Sequence, residues 1–398
     1  MILYFITEAR FVRYKDNVYT LGSFTSEVWK RYLQSFQKVY VFARVEKVDT
    51  YNALDRFRSN IEGVEFVDLP YYVGLLGLIQ KKRSIERVMM QYFREDVTYI
   101  LRVPGNLGLI ASRILSRRKI PYSVEVVGDP LQVFKSSKNL CKNVWGKIMS
   151  YYLKRIVYNA SASLFVTKKQ LQDIYPPRND TFTTNASNVI LRREDIEIDA
   201  NKRFENKVIN IVSVGMLSQM YKSPDVVLES ISLLKNKGIQ CQLIWIGDGK
   251  YREQMKGYAK KIGVGDNVNF IGMLPAGNAV RNYLKNADIF VLTSRTEGLP
   301  RALIEAMAAG CYCVATDVGG IPELLDRRWL VSPNNSVSLA NKILAPLQNY
   351  NLIKEQLIEN MKVVREYENG ELAIRRNKFY DAAKELVLKK KNTAQYNK

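Results

Sequence analysis

The sequence predicts an α/β protein built from two doubly wound domains, and three observations carry that prediction. The chain has 398 residues, too many for one ordinary domain and comfortable for two. Apolar, β-rich runs alternate with longer helical patterns in both halves. The runs are continuously apolar rather than alternating, as in parallel strands covered on both faces.

In the first half the strand candidates are 2–6, 39–43, 64–69, 97–101, 122–127 and 163–166. Helical patterns lie between them at 27–36, 78–94, 107–117 and 140–159. The second half repeats the rhythm with strands at 208–214, 242–246, 268–271, 289–293 and 312–315. Two such series imply a Rossmann-like domain over 1–187 and another over 207–370. Between them, 188–206 reads as a linker, because Arg192-Arg193-Glu194-Asp195 and its neighbours are polar and have no strong period. Residues 371–398 read as a final helix with a basic tail.

Composition narrows the chemistry. Apolar residues make up 47 %, enough for a sizeable core. The net charge is +21, which calls for an anionic partner: nucleic acid, a membrane surface or phosphorylated small molecules. There is no histidine, so Ser-His-Asp and Cys-His nucleophile systems and His-ligated zinc are excluded. Cys141, Cys241, Cys311 and Cys313 lack CxxC spacing and read as reduced thiols. The opening apolar run meets Thr7 and Glu8 too soon for a signal peptide, and 69–79 is half a membrane span, so a cytoplasmic protein, at most peripheral on the inner face of the membrane, is expected. No P-loop occurs, and Arg252 stands where a dinucleotide fingerprint needs its third glycine after Gly247 and Gly249. No Asp-x-Asp pair occurs, which argues against a metal-bridged nucleotide-sugar site; neither a metal nor a cofactor is expected.

The informative segment is Thr293-Ser-Arg-Thr-Glu297-Gly298-Leu299-Pro300-Arg301-Ala-Leu-Ile-Glu305-Ala-Met-Ala-Ala-Gly310. A strand runs into a short turn, Gly298 permits close ligand approach, Pro300 suits the first helical position, and Gly310 stops the helix. Free N–H groups and the positive dipole end at Leu299–Arg301 favour a diphosphate. Glu297 in the turn and Glu305 two helical turns on are expected to bracket that anion, one for sugar hydroxyls and one for ribose hydroxyls.

This spacing of two glutamates within TEGLPRALIEAMAAG resembles retaining glycosyltransferases of family 4, which have the two-lobed GT-B fold with the lobes facing across a cleft. VATDVGGIPELL at 314–325 resembles them too, as does VGMLSQMYK at 214–222. There the family has a glycine turn and a later lysine on the donor diphosphate, matched by Gly215 and Lys222. The resemblance implies catalytic roles for Glu297 and Lys222. It implies donor contacts for Gly215, Lys222, Glu297, Gly298, Leu299, Pro300, Arg301 and Glu305, with Gly272, Phe270 and Asp248 near the base. It also implies retention, a nucleoside-diphosphate leaving group stabilised without metal, a UDP- or GDP-linked donor, and a last helix that crosses back to the first lobe. On the acceptor side Gly22 and Asp129 are the candidates. Two departures stand out: Met216 replaces the arginine that often follows the glycine turn, and the N-terminal lobe has no histidine.

The segments 140–158 and 71–94 interleave Lys142, Lys147, Lys154 and Arg155, and Lys81, Lys82, Arg83 and Arg87, with aromatic and aliphatic residues. That pattern suits an anionic membrane surface and a lipid-linked oligosaccharide acceptor of a bacterial surface polysaccharide. The alternatives are a nucleic-acid-binding or DNA-glycosylating protein, for which no motif is present, and a non-catalytic sugar-nucleotide-binding scaffold, suggested by Met216 and the missing histidine.

Overall fold

The computed structural model describes residues 1–20, 22, 24–50, 57–135, 140–199, 208–275 and 277–396, so part of the expected linker, 200–206, lies outside the described residues. The chain forms two compact units. One comprises 1–131, 141–186 and 373–398, and the other 132–140 and 187–372. The final helix, Asn369–Tyr396, thus joins the first unit from residue 373 onward.

The first unit is a nine-stranded sheet: β1 Ile2–Tyr14, β2 Asn17–Thr20, β3 Lys38–Lys47, β4 Phe57–Arg58, β5 Val64–Leu69, β6 Thr98–Val103, β7 Ser123–Val126, β8 Ala162–Phe165 and β9 Phe182–Asn185. Its parallel body runs β5-β3-β1-β6-β7-β8-β9. The far end of β1 turns through Lys15, in the left-handed region, into antiparallel β2, and β4 extends that ribbon. The ribbon was not expected: its residues are mostly polar, and only the paired register gives Val12, Val18 and Thr20 a buried side.

Right-handed crossovers dictate which face each helix covers. The step from β1 back to β3 places Ser26–Leu33 on one face. The steps β5→β6, β6→β7 and β7→β8 run the other way and place Gly74–Tyr92, Asn106–Arg117 and Leu140–Tyr158 together on the opposite face. Side-chain packing agrees: Arg113 of the middle helix lies over the Tyr152 ring of the last, 4.6 Å from its centroid. Tyr32 of the first helix packs on Tyr380 of the C-terminal helix at 5.5 Å.

The second unit is wholly parallel: β10 Ile209–Val214, β11 Cys241–Ile246, β12 Val268–Gly272, β13 Ile289–Leu292, β14 Tyr312–Thr316 and β15 Leu330–Val331, in the order β12-β11-β10-β13-β14-β15. Every residue of β13 and β14 is buried, which is why their sequences read as unbroken apolar runs. The chain builds outward from β10 through β11 and β12, then returns to the other side of β10 with β13. Strand order therefore reverses between β10 and β13, and open α/β sheets bind ligands beyond the carboxyl ends of the strands at such a reversal. Among the described residues there is no disulfide, and Cys241, Cys311 and Cys313 are buried thiols. No helix among them is long and apolar enough to cross a membrane.

Candidate functional site

β10 and β13 deliver two segments to the switch point: Gly215–Lys222 after one and Thr293–Pro300 after the other. Main-chain bonds fix Gly215. Its N–H donates to the Ile246 carbonyl at 2.9 Å, and its own carbonyl accepts from Trp245 Nε1 at 2.9 Å. The chain then makes a short helical turn at Met220–Lys222, and Ser223 takes the left-handed conformation that lets Pro224 open the next helix. That path folds Lys222 back across Gly215. A Cβ at 215 would come within 2.9 Å of Lys222 Cγ, so only glycine leaves room for this lysine stem.

Lys222 Nζ forms an ion pair with Glu297 Oε1, and both side chains are almost enclosed. The Ser294 hydroxyl donates to the same Glu297 oxygen at 2.5 Å. Burial works against the charged ammonium, but Glu297, helped by Tyr221, outweighs it despite opposition from Arg301, so the Lys222 pKa is raised and the side chain stays cationic.

Two residues that the sequence did not single out stitch the two segments together. The Thr293 hydroxyl reaches the carbonyls of Lys222 and Ser223, each at 3.0 Å. The Arg295 N–H donates to the Tyr221 carbonyl at 2.7 Å, and its guanidinium holds the Met220 carbonyl at 2.9 Å and Asp225 at 3.0 Å. From behind, Gly319 presses on the turn with φ +55, where an added Cβ would stand 2.0 Å from the Glu297 carbonyl, and Gly320 N–H donates to the Gly298 carbonyl at 2.7 Å. The sequence held a clue in the glycine pair of DVGGIPE, but not its target.

Pro300 proves to be the N-cap residue rather than the first helical residue: its ψ of 111° is extended, and the helix runs Arg301–Ala308. The proline still pre-sets φ, one position earlier than expected, and among the described residues no side chain caps this helix start. Gly298 and Pro300 form the turn with Leu299, which is buried beneath it. The Glu305 carboxylate, half-buried on the second turn, has no hydrogen bond or ion pair among the described residues. Burial raises its pKa, Arg301 and Arg281 oppose the rise, and Asp195 adds to it.

On the other side of β10, Gly272 ends β12 with φ +86, and its carbonyl accepts from Gly247 N–H at 2.8 Å. Arg252, noted above only as breaking a glycine pattern, clamps this edge. It bonds Asp248 at 3.1 Å and the Phe270 carbonyl at 2.6 Å. Met216, in place of the expected arginine, is exposed. Arg301 bears electrostatically on both Lys222 and Glu305.

In the first unit Asp129 is buried, and its Oδ1 accepts from Leu131 N–H and the Tyr175 hydroxyl, which fixes the turn after β7. Gly22 is exposed, and its N–H donates to Thr20 Oγ1 at 2.9 Å.

Residues 194–373, which hold the whole arrangement from Gly215 to Gly320, match the family described as glycosyl transferases group 1. Over 95 % of its length the chain is 32 % identical to Protein CapJ of Staphylococcus aureus, covering 94 % of that protein. Over 34 % of the chain it is 33 % identical to a putative colanic acid biosynthesis glycosyltransferase, WcaL, of Escherichia coli, covering 36 % of that protein. Among solved structures, the Anabaena protein Alr3699/HepE in complex with UDP-glucose superposes with a TM-score of 0.61 at 14 % identity, covering 99 % of this chain and all of that one. The two Rossmann-like units are those of the GT-B fold, and the chain belongs to the group 1 glycosyltransferases.

Proposed function

We propose that this enzyme transfers a sugar, with retention at the anomeric carbon, from a UDP- or GDP-linked donor to a saccharide acceptor carried on a lipid, in the assembly of a bacterial surface polysaccharide. The observation that carries this reading is the enclosed Lys222–Glu297 pair beside an uncapped helix start at the switch point of the second unit. The colanic acid relative and the UDP-glucose complex of the structural neighbour support the pathway class and the donor class.

The chemistry follows from where charge develops. As the bond from the anomeric carbon to the diphosphate oxygen breaks, its electron pair stays with the diphosphate. Lys222 and the free N–H groups from Arg301 onward stabilise that charge, so no metal is required. An acceptor hydroxyl attacks on the face the diphosphate leaves, and its proton passes to a departing phosphate oxygen. Without a donor, Glu297 neutralises Lys222. When a diphosphate takes the ammonium, Glu297, still held by Ser294, is released to accept from donor sugar hydroxyls. Glu305 has the open carboxylate that a ribose diol needs. The Arg252 clamp presents the Phe270–Gly272 backbone to the base.

The test is a thermal-shift panel of UDP-, GDP-, ADP- and dTDP-sugars with EDTA present. Stabilisation by UDP- or GDP-sugars in EDTA supports the reading; stabilisation by none of them contradicts it. Product stereochemistry by NMR then decides retention.

A further inference from the structure

In the helix layer formed by Gly74–Tyr92, Asn106–Arg117 and Leu140–Tyr158, the first and last helices leave a stripe of apolar side chains in solvent. In the first of these helices Leu78, Ile85 and Met89 pack on the sheet. Its opening turn nonetheless leaves Val73, Leu75, Leu76 and Ile79 in solvent, with Leu76 78 % exposed. The exposed residues Lys81, Lys82, Arg83 and Arg87 follow at once. In Leu140–Tyr158 the buried side is Met149, Leu153, Ile156 and Val157. Its outward side repeats at helical spacing as Val144, Ile148, Tyr151 and Tyr158, all exposed. Between them stand the exposed cations Lys147, Lys154 and Arg155. Across the three helices the sequence holds a single acid, Glu86, and Lys82 lies 3.8 Å from it. Both exposed stripes belong to one layer of one unit, because all three crossovers run in the same direction.

An apolar patch on a monomer marks a surface that something covers. Here aliphatic and aromatic side chains are mixed with cations that outnumber their acidic neighbours, Glu86 beside Lys82 and Asp173 in the same hollow as Lys154 and Arg155, and the matching occupant is apolar inside and anionic at its surface. We propose that this layer docks on an anionic lipid bilayer. Leu75, Leu76 and Ile79 enter the headgroup–acyl boundary, and the lysines and arginines of both outer helices lie against the phosphates. Tyr151 and Tyr158 suit the interface, having an apolar ring and a polar tip. The inference agrees with a lipid-carried acceptor but rests on the first unit alone, so it stands or falls apart from the donor site.

The experiment is flotation of the full chain with vesicles of phosphatidylcholine alone and of equal parts phosphatidylcholine and phosphatidylglycerol, at low and high salt. The chain should float with the anionic vesicles, less so at high salt, and hardly at all with the neutral ones. Reversing three cations in K81E/K82E/R83E should lower partitioning by on the order of a hundredfold or more, and L76S/I79S should also weaken it. An L76W variant should shift its emission to shorter wavelength on anionic vesicles only. Thermal midpoints and nucleotide-induced shifts should match wild type in every variant, which separates this result from the fate of the donor site. Equal flotation with both vesicle types, no flotation, partitioning untouched by the substitutions, or capture by duplex DNA in place of vesicles would overturn the proposal.

Discussion

At the residue scale the account turns on how few groups hold the donor charge. Removing one preorganised donor to a developing anion costs about 3 kcal/mol, roughly a hundredfold in rate, and K222M is expected to lose that much turnover. The same substitution leaves the enclosed Glu297 carboxylate without its cation and should cost about 3 kcal/mol of stability. K222M/E297Q removes both charges. Its thermal midpoint should recover toward wild type while turnover stays low, and that contrast separates catalysis from folding. The raised Lys222 pKa makes the pair's contribution complete below the lysine's ordinary value of 10.5, to be lost only as pH climbs through the folded value. Glu305 works in the opposite sense. Its folded pKa lies above its ordinary value, so between the two the folded state binds more protons, and stability falls as pH rises through that window. E305Q, neutral at every pH, should therefore melt higher than wild type at pH 7, match it near pH 4, and bind nucleotide more weakly at pH 7. Melting curves at the two pH values check this.

At the element scale the site is a set of turns braced against one another. G215A should push Lys222 off its path, and G319A should strike the Glu297 carbonyl and force a left-handed alanine, so each is expected to cut turnover at least tenfold with the sheet intact. R295A should loosen the 220–223 turn and raise KM for the donor more than it lowers kcat. How far all this could be read from sequence follows from range. β10 to β14 were legible because parallel strands buried on both faces are written as apolar runs. β15 has only two residues, and β9 is a half-exposed edge strand of Phe, Thr, Thr and Asn, so neither carries such a signal. Gly215, Lys222, Glu297 and Glu305 were named from local motifs and a family resemblance, and the fold brings Lys222 and Glu297 into contact. Thr293, Arg295 and Gly319 act on groups brought near by the order of strands, which no spacing rule contains. Asp129 looked available in sequence, yet the fold turns it inward to Tyr175.

At the scale of the whole molecule, the C-terminal helix is part of the first unit's core. Tyr380 packs on Tyr32 and Phe36, and beneath them Glu125 accepts from Tyr32 and Arg102. Burial, reinforced by Glu125, pushes the Tyr32 phenol up to about 12, and burial with Arg31 nearby lowers Arg376 to about 10. The Tyr380 hydroxyl is buried and has no hydrogen-bond partner among the described residues. Y380A should cost about 3–5 kcal/mol, whereas Y380F should be neutral or stabilising by about 1 kcal/mol, as read by denaturant unfolding. The helix layer that exposes Leu76 belongs to the first unit and the Lys222–Glu297 pair to the second, so membrane binding and nucleotide binding should vary independently. The central claim is that Lys222 receives the donor diphosphate, and calorimetric titration with a nucleoside diphosphate and its monophosphate tests it most directly. Wild type should bind the diphosphate at least tenfold more tightly, and K222M should lose that preference while still binding the monophosphate. An undiminished preference in K222M would contradict the account.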